Sequence, residues 1–153
     1  MIDLERASSS AAHWPKELYE SVFSDSGSSS NFYRLAWAVE DNRETYSESS
    51  ARVPGILGFL VARRLDSEWE LENIVVSETT RRRGAGSLLL ASLISEARVQ
   101  RGSGIFLEVR ESNLSARALY QKAGFKETDL RKGYYLNPGE DAVICRLSFP
   151  RDF

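Results

Sequence analysis

Three arginines followed by Gly-Ala-Gly, namely Arg81, Arg82, Arg83, Gly84, Ala85 and Gly86, are the residues of this chain whose types and spacing point most directly to a ligand. Glycines lack a Cβ and let an anion approach the backbone. A helix starting here would add unpaired N–H groups and the positive end of its dipole, which makes phosphate the natural ligand. Local features leave this open, because a glycine turn with solvated arginines is also an ordinary strand-to-helix connection. Further along, Glu108 alternates with Leu107 and Val109 in an apolar run. A carboxylate in that setting has either a chemical task or an arginine partner. Tyr120 follows on a helix that starts where that run ends, so its ring either fills core or presents its hydroxyl to the same cleft. A carboxylate and a phenol flanking one point are suited to taking and giving protons. Glu70 and Glu72, on one face of the preceding strand, are rival bases. Tyr134 and Tyr135 are adjacent and cannot both face one core, so one of them meets substrate or solvent; the alternative is a loop packed over the sheet. His13 beside Trp14 reads as a surface residue and Cys145 as core, and neither they nor any other residues have the spacing of a metal site.

The elements that must position these groups follow from periodicity. Residues 71–76 are short, apolar and β-branched, which favours a strand, and 77–80 break it as a turn. Leu89, Leu90, Leu93, Ile94 and Ala97 recur at helical spacing, which predicts a helix over 87–100, ended by Gly102 and Gly104. Residues 105–110 form a second buried-type strand, and Ser112 or Asn113 caps a helix over 114–122, closed by Gly124. Before this core, 1–7 suit a short helical piece with no strand ahead of it, and Pro15 opens a helix over 16–23. Serine-rich 24–31 read as a flexible loop, 32–39 as a strand and 40–53 as a polar connection. Strands at 55–63 and 68–76 make a hairpin through 65–67. After it come final strands at 124–127 and 142–149, separated by 131–141 as a long loop. The expected class is α/β, a mixed sheet flanked by helices, antiparallel first and with a parallel pair in the middle.

At 153 residues the chain suits one domain over 1–153. Its 20 basic and 22 acidic residues give a charge of −2, which favours neither nucleic acid nor an anionic membrane. The lone cysteine excludes an internal disulfide framework, and no apolar run approaches the roughly 20 residues of a membrane span. A cytoplasmic protein, monomeric or weakly dimeric, is the expectation.

From about Gly55 to Leu147 the chain resembles the GCN5-related N-acetyltransferase (GNAT) superfamily. The resemblance is carried by Arg81-x-x-Gly84-x-Gly86, then Leu107-Glu-Val-Arg110, Asn113-x-x-Ala116-x-x-Leu119-Tyr120 and Gly124-Phe125, in that order and spacing. Arg131-Lys-Gly-Tyr-Tyr135 followed by Glu140-Asp-Ala142, with Trp14-Pro-Lys-Glu-Leu-Tyr19, is similar to the RimI-type ribosomal-protein-alanine N-acetyltransferases within it. The resemblance implies a splayed sheet and acetyl-CoA as co-substrate, with no metal. It implies backbone contacts from Ile74, Val75 and Val76 to the pantetheine arm, a pyrophosphate held by Arg81, Arg82, Arg83, Gly84, Ala85 and Gly86, and a cofactor contact from Asn113. It casts Glu108 as general base, Tyr120 as general acid, and Tyr134 and Tyr135 as the slot for the first residues of a protein N-terminal peptide, that of a ribosomal protein. The family normally begins with a strand before its first helix. This chain starts at that helix, so the sheet is expected to lack its first edge strand unless the start is misassigned.

A free α-amino group has a pKa of roughly 7.7–8.0 against about 10.4 for lysine, so an N-terminal substrate asks little of its base. No His/Cys or Ser/His/Asp spacing supports a covalent intermediate, and direct transfer in a ternary complex is expected. The alternatives are acetylation of a small-molecule amine or a lysine side chain, which the tyrosine pair argues against, and a non-catalytic acyl-CoA-binding module, which would have no use for Glu108 and Tyr120.

Overall fold

The computed structural model describes residues 1–7, 14–23, 34–40 and 55–150. The expectations for His13, the serine-rich loop at 24–31 and the connection at 40–53 lie outside the described residues, except that Glu40 is the last residue of a strand. The elements are α1 (Ile2–Arg6), α2 (Lys16–Phe23), β1 (Arg34–Glu40), β2 (Ile56–Leu65), β3 (Glu68–Val76), a 3-10 turn (Glu78–Thr80), α3 (Ala85–Val99), β4 (Gly104–Arg110), α4 (Leu114–Lys122), β5 (Lys126–Leu136) and β6 (Gly139–Ser148). Among the described residues no strand precedes α1. The six strands form one sheet in the order β1-β2-β3-β4-β6-β5. Neighbours are antiparallel except β3 and β4, which run parallel and are joined by the crossover helix that a parallel pair needs.

Helices cover both faces. On one, α3 places Leu89, Leu90, Leu93 and Ala97, each at most 1% exposed, against Leu60, Ala62, Trp69, Leu71, Ile105 and Leu107. At roughly 1.5–3 kcal/mol per large side chain, this contact dominates the core. On the other face, Tyr19 from α2 packs edge-on against Phe59 at 6.0 Å and joins Val61 and Val75. Gly104 starts β4 because a Cβ there would lie 2.6 Å from the Leu147 carbonyl oxygen of β6.

Two irregularities shape everything that follows. In β3, Val61 pairs with Asn73 but Ala62 pairs with Leu71, so Glu72 is an extra residue, a β-bulge. One extra residue reverses side-chain parity. Trp69 and Leu71 face α3 before the bulge; after it Ile74 and Val76 take that face, while Asn73 and Val75 turn to the α1 and α2 side.

The second lies in β5, where the sequence predicts a long loop over 131–141. The chain is instead strand to Leu136, with a two-residue turn at Asn137-Pro138, whose peptide is cis. Arg131 pairs with Ala142 and Tyr135 with Glu140, so three residues of β5 stand against Asp141 alone. Gly133 takes up that slack at φ +62, and its N–H donates to the Asp141 carboxylate at 2.8 Å. The glycine and proline that read as loop punctuation mark a bulge and a hairpin turn.

Candidate active site

The parallel ladder between β3 and β4 is short. It runs from Glu68 opposite Gly104 to Leu71 opposite Leu107 and stops there, just before the bulge at Glu72. Beyond that point β3 stays paired with β2 as far as Val76, and β4 with β6 as far as Arg110, so the strands part while each remains anchored on its outer side. Their inner edges carry backbone groups that require hydrogen-bond partners. Between them opens a cleft of about 850 Å³, lined by residues from both faces of the sheet, including Ile74, Val75, Val76, Glu108, Asn113, Tyr120 and Tyr135.

One end of this cleft is the start of α3. Gly84 sits at φ +90 as its N-cap, where a side chain would be strained, and no side chain caps the helix. The space a Cβ would occupy at Gly84 is open to 4 Å. The first internal bond runs from Leu88 N–H to the Gly84 carbonyl at 2.9 Å, and the helix geometry leaves the preceding amides without an intrahelical acceptor. Arg81, Arg82, Gly84, Ala85 and Gly86 line the cleft together with Ser87, which the sequence analysis did not single out. Ser87 was legible as a small polar residue in the first turn. Arg83 diverges: it lines a separate pocket of about 240 Å³ beside Val39, Leu57 and Leu88. Gly86 lets α3 approach α4, since a Cβ there would stand 3.0 Å from Leu119 Cδ2.

Asn113 caps α4, its Oδ1 accepting from the Ala116 N–H at 3.1 Å, and also lines the cleft, so one residue serves both tasks. Tyr120 is 5% exposed and packs against Phe125 at 5.9 Å among Leu107, Val109 and Val143. Burial, chiefly, pushes its phenol above the ordinary tyrosine range, so the hydroxyl stays protonated. Among the described residues that hydroxyl has no hydrogen-bond partner.

Glu108 leaves β4 on the opposite face from Leu107 and Val109, toward the α1 and α2 side. It shares a cleft with Tyr120 because the sheet has parted between them. Of the two sequence readings of this carboxylate, the arginine partner is present: Arg131 Nη1 donates to Glu108 Oε1 at 2.9 Å. The Tyr134 phenol lies near the same carboxylate, whose influence pushes it up to about 12. The Tyr134 and Tyr135 rings meet edge to face at 5.0 Å. Tyr134 is 40% exposed, while Tyr135 is half-buried and lines the cleft. Arg110 lays its guanidinium over the Tyr135 ring at 4.0 Å and donates to Glu140 and to the Asn137 and Pro138 carbonyls, tying the hairpin tip to the end of β4.

The rival carboxylates are engaged elsewhere. Glu70 and Glu72 both pair with Arg63, and of the two only Glu72 lines the cleft. Residue types alone did not reveal a buried polar cluster behind the bulge. Glu5, 1% exposed, accepts from the Trp14 N–H and from Asn73 Nδ2 at 2.8 Å, and Asn73 in turn lines the cleft. Tyr19 joins this cluster, its hydroxyl accepting from Asn73 Nδ2 at 3.2 Å. Cys145 is core as expected, with burial pushing its thiol up to about 11. Among the described residues no three His, Cys, Asp or Glu side chains cluster to hold a metal.

Comparison with known proteins fits this geometry. The [ribosomal protein bS18]-alanine N-acetyltransferase of Haemophilus influenzae is 44% identical over 92 residues, 58% of this chain and 62% of that protein. The match thus spans less than two thirds of that relative's length. The crystal structure of the ribosomal-protein-S18-alanine N-acetyltransferase from Escherichia coli superposes with a TM-score of 0.74 at 25% identity, covering 99% of this chain and 89% of that one. A GNAT family acetyltransferase from Elizabethkingia anophelis, crystallised with acetyl-CoA bound, shares the fold with a TM-score of 0.59. The model of the acetyltransferase (GNAT) family matches residues 4–125, most of the chain, and a sheet parted beside an uncapped, glycine-led helix agrees with it: the chain belongs to the acetyltransferase (GNAT) family.

Proposed function

We propose that this protein transfers the acetyl group of acetyl-CoA to the α-amino group of a protein N-terminus, with the N-terminal alanine of a small-subunit ribosomal protein as its substrate. One observation carries the reading: a single cleft joins an anion-receptive helix start to a carboxylate and a protonated phenol on its two walls. The named activity of the Haemophilus influenzae relative supports the choice of substrate.

The residues present fit acetyl-CoA. The amides of Gly84, Ala85, Gly86 and Ser87, with Arg81 and Arg82, would hold the pyrophosphate, and the unpaired edge of β3 at Ile74, Val75 and Val76 would pair with the amide groups of the pantetheine arm. Arg83, turned to the other pocket, contributes charge only. Asn113 would contact the arm from the opposite wall. When bound, acetyl-CoA supplies a thioester-activated acetyl group. The chain supplies proton handling. Glu108 draws a proton from the incoming ammonium through water, and the Tyr120 hydroxyl gives one to the departing sulfur. Deprotonating an α-ammonium at pH 7 costs about 1 kcal/mol, against about 4–5 for a lysine, so a carboxylate base favours N-termini. Tyr134 and Tyr135 stand where a peptide would enter from the α1 and α2 side. With Cys145 buried and its thiol pKa raised, the one cysteine is a poor nucleophile, and transfer is direct within a ternary complex. The partner is then a protein, and the cytoplasm is where the reaction takes place.

Peptides differing only at residue one, offered with labelled acetyl-CoA, test the proposal. Label on an N-terminal alanine, none on an N-blocked lysine peptide, and a 10²–10⁴-fold loss in Glu108→Gln are expected. Acetyl-CoA binding without transfer to any N-terminal peptide would overturn it.

A further inference from the structure

Three arginine–carboxylate sets lie on the α1 and α2 face around the cleft, and they are not built alike. Arg63 is shared by Glu70 and Glu72 and is 35% exposed. Arg110 is 30% exposed and uses its guanidinium on Glu140, two backbone carbonyls and the Tyr135 ring. Glu108 instead holds Arg131 through one bond of 2.9 Å, and that arginine is 58% exposed. Its further support is stacking on Tyr134 at 4.4 Å.

The backbone explains how Arg131 arrives there. It pairs across β6 with Ala142, which pairs in turn with Arg110, so all three share a face. The methyl of Ala142, fully buried, leaves the path toward β4 clear. The bulge at Gly133 then carries Tyr134 to the same carboxylate. Glu108 is thus met by one exposed cation and one phenol. Exposed single-bond ion pairs are weak, so a second cation reaching Glu108 displaces the first easily.

We propose that Arg131 stands in for the substrate's terminal ammonium: it occupies Glu108 in the free protein and yields it when a peptide N-terminus enters. This rests on reading the cleft as the site of a protein N-terminus. It makes Arg131 a residue that tunes affinity for the charged N-terminus, because only a cationic guest displaces the guanidinium and a guest without a positive charge leaves it in place. After the exchange the Tyr134 phenol remains beside Glu108.

The test is calorimetric, with two peptides of one sequence, one bearing a free N-terminal alanine and the other a des-amino residue. Each is titrated into the CoA-loaded wild type, Arg131→Gln and Arg131→Lys. Removing the competing cation should tighten the free-amine peptide by up to about fivefold in Arg131→Gln and leave the des-amino peptide unchanged. The lysine variant, which keeps the charge, should match the wild type. In turnover the gain should appear in KM with kcat preserved. An equal shift of both peptides, or weaker binding of the free-amine peptide, overturns the proposal and makes Arg131 a structural residue. Failure of the underlying reading has its own signature, no label transferred to the free-amine peptide by any of the three proteins, and the proposal falls with it.

Discussion

Replacing Tyr120 with phenylalanine removes one oxygen from the wall of the cleft and leaves the ring that fills the core. The ring keeps its contacts with Phe125, Leu107 and Val109. The lost hydroxyl has no hydrogen-bond partner among the described residues, so no buried donor or acceptor is orphaned. Stability should therefore change by no more than about 0.5 kcal/mol. If the phenol protonates the departing sulfur, kcat should fall 10²–10⁴-fold, about 3–5 kcal/mol of transition-state stabilisation. Binding of both substrates should be nearly untouched. Single-turnover transfer of labelled acetyl to an alanine peptide, read beside thermal unfolding and CoA affinity, separates these quantities. The sign of the pKa shift adds a constraint: a raised phenol is protonated at every pH below its folded value, so in the wild type Tyr120 should impose no loss of kcat up to the ordinary tyrosine value of about 10. A kcat within about threefold of wild type in the folded variant, or a loss confined to KM, would refute the assignment and return Tyr120 to a packing role.

Two further outcomes follow from the same geometry. Arg110→Ala removes the ties to the hairpin tip and the stacking on Tyr135, so KM for the peptide should rise about tenfold while CoA affinity holds, with about 1–2 kcal/mol lost in chemical denaturation. Glu5→Gln turns an amide NH₂ toward donors already supplied by Trp14 and Asn73, which should cost about 1–3 kcal/mol of stability in urea titrations, and a neutral result would show that the cluster rearranges freely.

Much of the frame was readable residue by residue. Helix α4 occupies the predicted 114–122 with Asn113 as its cap, and Gly84 at φ +90 starts α3 two residues earlier than periodicity indicated. The bulge in β3 was invisible for a specific reason. Trp69, Leu71, Asn73 and Val75 are all buried, and their even alternation looks like one strand face, although the first pair faces α3 and the second faces α1 and α2. A sheet covered on both sides buries both parities, so burial cannot report the switch. The strand at 131–136 was missed because Gly133 supplies a bulge rather than a loop.

The sequence by itself determined what depends on neighbours a few residues apart: helix starts and caps, glycine positions with positive φ, and a carboxylate and a phenol on successive elements. Only the tertiary structure decided that Glu108 and Tyr120, on opposite faces of the sheet, reach one cleft, that Arg83 leaves it, and that Arg131 is drawn to Glu108. These outcomes turn on where parallel pairing stops after Leu71, on the bulge in β3 and on the register shifts in β5, between Glu127 and Asp129 and between Arg131 and Tyr135, that reset which way side chains point. Such register effects arise between distant strands, and local propensity carries no record of them.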